Sequence, residues 1–83
     1  MNTYREPVGR YRIMRHDDLP ESHKEAYRER GVDPDTIWAL IYSMNDLEAA
    51  EETLRIENER AAEWETWKLV DAGEATEIER PIY

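Results

Sequence analysis

The sequence predicts a small α+β domain. The expected form is a two-layer sandwich, with a three- to four-stranded mixed or antiparallel sheet packed with two helices in the order β-α-β-α-β-β. Three observations predict it. The run Ile37-Trp38-Ala39-Leu40-Ile41-Tyr42 is apolar throughout and suits a pleated, buried surface. Asn45 and Asp46, both good N-caps, stand just ahead of the helix-forming segment 47–62. Asp71-Ala72-Gly73-Glu74 has turn chemistry and separates two strand-like stretches.

Taken in order, residues 1–9 read as a flexible N-terminal arm, because Pro7 and Gly9 break regular structure and termini fray. Residues 10–83 read as one compact domain. From Arg10 onward, Tyr11 and Ile13 alternate with Arg12 and Met14, which predicts a strand with Tyr11 and Ile13 facing the core. Asp18 or Leu19 would then cap a helix with Pro20 in its first turn, ending near Arg30. Gly31 supplies the left-handed residue that closes it. Strand 37–42 and helix 46–62 follow; one long helix from Pro34 to Ala62 is the competing arrangement. In the preferred version Leu47, Ala50, Leu54 and Ala61 share the buried face. Glu63–Val70 and Ala75–Tyr83 complete the sheet as a hairpin, with Pro81 marking an edge or a frayed end. Strands flanking a helix are expected to run parallel.

At 83 residues with three Trp, the chain has material for one small core. It contains no Cys, so it has no disulfide framework and no thiolate metal site. That composition suits a reducing cytoplasm. No signal-peptide pattern and no apolar run of spanning length is found. Charge is uneven: residues 1–30 hold seven basic and six acidic residues (+1), residues 31–83 four basic and fourteen acidic (−10). A net charge of −9 argues against direct contact with nucleic acid, whose phosphates call for Lys and Arg. It favours a partner with a basic surface.

Chemistry-bearing constellations are sparse. His16-Asp17-Asp18, with Glu21 and His23 behind, is the densest polar cluster, but its spacing matches no ligand pattern. Ser22 and Ser43 lack an adjacent base and oxyanion donor. The three glycines are too dispersed to cradle a phosphate. The reading is therefore a non-enzymatic protein without cofactor or metal.

Two features point to partner binding. On the second helix, Glu48, Glu52, Glu59 and Glu63 form an anionic row, interrupted by Arg55. Positions four apart rise about 6 Å along a helix axis, a regular spacing of negative charge. Trp64 and Trp67 are candidate hot spots, since Trp, Tyr and Arg are enriched in such roles. One sheet face left uncovered by the helices, carrying Trp64, Lys68 and Val70, would be a contact patch. In size and charge the chain is similar to phage-encoded anti-restriction and anti-CRISPR proteins: short, acidic, cysteine-free and α+β. That resemblance implies an inhibitor in the host cytoplasm that offers carboxylates where a nucleic-acid-binding enzyme expects phosphates. The alternative is a structural or accessory subunit that adds an edge strand to a partner or to its own copy, as a homodimer, or docks through an exposed aromatic sheet face.

Overall fold

A computed structural model describes residues 2–82; Met1 and Tyr83, the outer ends of the expected arm and last strand, lie outside the described residues. The chain forms β1 (Thr3–Val8), β2 (Tyr11–Asp17), α1 (Glu21–Glu29), a 3-10 turn (Pro34–Thr36), β3 (Ala39–Met44), α2 (Leu47–Arg60), β4 (Glu65–Asp71) and β5 (Thr76–Pro81). The expected α+β class is present, built on two antiparallel sheets. One has three strands in the order β3-β2-β4; the other is a β1-β5 ribbon.

Local signals behave as the physics requires. Asp46 caps α2, its carboxylate accepting from the backbone N–H of Glu48 at 3.0 Å. Asn45 is not the cap; its Oδ1 accepts from the Arg10 N–H at 3.0 Å and holds a neighbouring corner. Gly31 takes φ 78 after α1, with Val32 N–H donating to the Tyr27 carbonyl and Gly31 N–H to that of Arg28. Both bonds of a Schellman cap are thus made. The segment 34–62 is a strand followed by a helix, not one long helix.

Four expectations are corrected. Residues 3–8 are strand rather than arm: β1 pairs with β5 from Thr3↔Pro81 to Val8↔Thr76. Pro7 is accommodated because a two-stranded ribbon leaves an open outer edge, where no ladder N–H is needed. The 71–74 turn exists, with Gly73 at φ 86, yet β4 and β5 do not pair with each other. β5 leaves the sheet to join β1. β2 and β3, on either side of α1, are antiparallel rather than parallel. A crossover helix must press an apolar stripe onto the sheet, and α1 has no buried residue. Finally, α2 stops at Arg60, where Ala61 turns extended, so Ala61 and Glu63 are off the helix. β3 and β4 flank β2 and both oppose it, so they run parallel to each other with α2 crossing between them.

Strand pairing assigns the faces. Ile13 lies level with Tyr42 and Leu69. On that face α2 is seated: Tyr42 OH donates to Glu57 Oε1 at 2.9 Å, and Thr53 approaches Met44 sulfur at 4.0 Å. Ile13 and Ala50 are fully buried there, and Val8, the last residue of β1, is buried in the ribbon. Among the described residues these three are the apolar core. Leu47, expected in it, is exposed. The opposite face carries Arg12, Met14 and His16. The ribbon reaches one end of it, where an Arg12 guanidinium N–H donates to Thr76 Oγ1 at 2.8 Å.

So small a core leaves an open shape. The Cα radius of gyration is 15.0 Å, against about 12 Å for a compact chain of this length. Accessible surface is 6285 Å², against roughly 5,200 Å² for a monomer of 9.9 kDa.

Candidate protein-binding surface

Three surface regions carry the side chains singled out by sequence, or lie beside them. The first is the outer face of α2. Glu48, Glu52 and Glu59 are exposed on it, as the helical spacing predicts. Arg55 does more than interrupt them. Its guanidinium clamps Glu52 through two N–H donors and donates to Glu59 at 2.6 Å. The Arg55 bond holds the Glu52 carboxyl below its ordinary range, so both groups stay charged but compensated. Glu48 and Glu51 are left as the open negative charges of the first turns, near the positive end of the helix dipole. Glu63 is exposed in the loop after α2 and does not extend the row.

The second region surrounds Trp64. This residue is 60% exposed. Its carbonyl accepts from Asp18 N–H at 2.8 Å, which ties the loop before β4 to the start of α1. Together Asp17, Asp18, Leu19, Pro20, His23 and Trp64 line a groove of about 580 Å³. Leu19 and His23 continue into a smaller hollow of about 230 Å³ with Ala26, Tyr27 and Arg30. Asp18, expected as a cap, instead holds Lys24 at 2.9 Å, and this ammonium lowers its carboxyl pKa. Trp67 is not part of the groove. It is half-buried, its Nε1–H donates to Glu65 at 3.0 Å, and the Arg15 guanidinium lies 5.7 Å from the centre of one of its rings. Arg15 in turn faces Asp17 at 3.2 Å, too poorly aligned for a hydrogen bond. Trp67 is therefore held by its own sheet.

The third region is the outer edge of β3 and the sheet face behind it. Ile41 and Tyr42 are 37% and 40% exposed. On the face away from α2, Lys68 Nζ sits 3.9 Å above the Trp38 ring, and Trp38 lies 5.4 Å from His16. His16 Nδ1 must be the protonated nitrogen, since its partner at 2.8 Å is the Ile37 carbonyl. Trp38, expected as core, thus half-covers an open sheet face, while Trp64 lies in a loop and not on that face. Sequence reasoning missed the groove because its residues come from 17–23 and 64, joined only by tertiary structure.

Among the described residues, no group of three or more His, Cys, Asp or Glu converges as metal ligands. Among them, no helix is long and apolar enough to cross a membrane. Compared with models of protein families, with curated proteins and with solved structures, the chain matches none.

Proposed function

We propose that this chain is a non-enzymatic protein-binding protein whose fold is completed by association with a partner. One observation carries the reading. The chain exposes about 1,100 Å² more surface than a compact monomer of its mass. That excess is on the scale of one side of a standard interface, about 800 Å² per partner. Exposed Tyr4, Ile41, Tyr42, Trp64 and Ile82 supply apolar and aromatic contact. The test is thermal unfolding over a dilution series, with a dye that reports exposed apolar surface. Association predicts a melting temperature that rises with the concentration of the chain or of its partner. A dilute monomer that melts sharply, independently of concentration and without binding dye, would sink the reading.

The acidic face of α2 favours a narrower version. In it the partner has a basic surface, as a nucleic-acid-binding defence enzyme does, and the chain inhibits it in the manner of an anti-CRISPR or anti-restriction protein. Glu48 and Glu51 supply its open charge, and net charge −9 steers it. Because Arg55 neutralises the middle of the row, mimicry here rests on a patch rather than a phosphate-like ladder. Capture from a lysate of the source cell at about 50 mM and about 500 mM salt separates the versions. A basic enzyme lost at high salt, and lost again in the double variant Glu48→Gln, Glu51→Gln, supports inhibition. Capture indifferent to both changes removes it.

A further inference from the structure

We infer that the outer edge of β3 pairs with the same edge of a second copy of this chain, antiparallel about a two-fold axis. Two three-stranded sheets would then join as one. The inference rests on the association reading and names the partner.

The edges of this molecule are not alike. Sheet edges are guarded by charge, proline or bulges, because unpaired N–H and C=O groups template further strands. The outer edge of β4 carries Glu65, Lys68 and Asp71. In the ribbon, β1 carries Arg5, Glu6 and Pro7, and β5 carries Glu77, Glu79, Arg80 and Pro81. β3, Ala-Leu-Ile-Tyr-Ser-Met, has neither charge nor proline. Among the described residues it pairs only with β2. It carries a bulge, where Ile13 pairs with Tyr42 and Met14 with Leu40 and Ile41 is left without a partner on β2, and its C-terminal end meets Gly9 at Ser43 and Met44. Exposed Ile41 then borders a groove of about 370 Å³ between β3 and the ribbon, whose far wall includes Glu6, Pro7, Val8 and Arg80. Glu6 and Arg80 pair with each other at 2.7 Å, so that wall is neutral as well.

Self-complementarity points to a second copy as the occupant, and charge permits it at this edge. Two molecules of net charge −9 repel wherever their acidic faces meet. They approach best across a neutral strip, and β3 with the Glu6–Arg80 wall is such a strip. α2, with five Glu and two Arg, packs more against β4 than β3, so a two-fold axis at β3 sets the acidic helices apart. An isologous contact needs a self-complementary patch, and an uncharged antiparallel strand is one.

The test is the mass of the full chain by sedimentation equilibrium between about 1 and about 500 µM, at low and high salt. The expected species has twice 9.9 kDa and tolerates salt. Ile41→Lys should be monomeric, with the circular dichroism of the parent, while Trp64→Ala should remain dimeric. Because the chain has no cysteine, Ile41→Cys gives a second readout. It should form a disulfide-linked dimer under mild oxidation much faster than Glu74→Cys. Equal cross-linking rates, a dimeric Ile41→Lys or a monomeric Trp64→Ala would overturn the β3 interface. A monomeric parent whose melt responds to no concentration overturns the association reading too. A monomeric parent that binds the dye and is stabilised by a different protein overturns self-pairing alone.

Discussion

The three-stranded sheet and the β1-β5 ribbon are both antiparallel, and apart from the bulge between β2 and β3 their strands pair residue for residue, yet they are held differently. β2 lies between two strands and under α2, and Ile13 on it is fully buried. In the ribbon Val8 alone is buried among the described residues. What crosses the ribbon otherwise is charge: Arg5 with Glu77 at 3.5 Å and Arg80 with Glu6 at 2.7 Å, all exposed. Exposed pairs contribute little, and an isolated two-stranded hairpin is marginal in water. The ribbon therefore depends on Val8 and on its junction with the sheet. Two regions with similar hydrogen bonding should therefore differ in stability, because the sheet with α2 removes more apolar surface from water than the ribbon does.

The largest expected effect breaks the sheet. Ile13→Ala removes the largest fully buried side chain and should cost about 2–5 kcal/mol, enough to abolish the cooperative transition in urea. Next, Asp46→Ala should cost about 1 kcal/mol by leaving first-turn N–H groups of α2 uncapped, read as a lower urea midpoint. Hydrogen exchange sharpens the contrast without mutation. Amides of β2 should exchange only through global unfolding, and those of β1 and β5 faster, through local opening of the ribbon. Equal protection in both would contradict the argument. Trp64→Ala should change stability by less than about 0.5 kcal/mol, since the side chain is exposed.

The smallest effect is on pH. Arg10 Nε and a second guanidinium nitrogen grip Asp71 at 2.8 and 2.9 Å, and Gly73 N–H adds a third bond. The Arg10 bonds, then the Gly73 N–H, hold the Asp71 carboxyl down to about 2. A folded value below the unfolded one, about 3.9, means the contribution is complete above pH ~4 and is lost as pH falls through about 2. In Arg10→Gln the acid dependence of the melting temperature over that window should flatten. An unchanged slope would show that the pair contributes nothing measurable.

What the sequence made legible was local. The Asp46 cap, the left-handed Gly31 and Gly73, the alternation around Ile13 and the strand before α2 are each written within a few residues. What it hid was partner choice. β1 carries the breaker Pro7 and ends against Gly9, and it is a strand because β5, more than sixty residues away, pairs with it. Nothing between 71 and 76 distinguishes a hairpin within one sheet from a turn that hands the chain to another. The candidate surface shows the same division. Exposure of Glu48, Glu52 and Glu59 follows from helical spacing, but the Arg55 clamp depends on rotamers, and the groove around Trp64 depends on tertiary assembly.

Gly9 joins the ribbon to the sheet. A Cβ placed there would stand 2.6 Å from the backbone of Met44, inside any permitted contact, and the atoms it meets cannot swing aside as a side chain could. The Gly9 N–H meanwhile donates to Ser43 Oγ at 3.0 Å. Even alanine would wedge the two sheets apart at their junction. In a saturation screen for retained fold, position 9 should therefore behave like a core residue: one letter accepted and nineteen refused, at a surface corner where tolerance is the rule. The relation between the two sheets is written in a missing methyl group, and a family descended from this chain would be recognised by what it never places there.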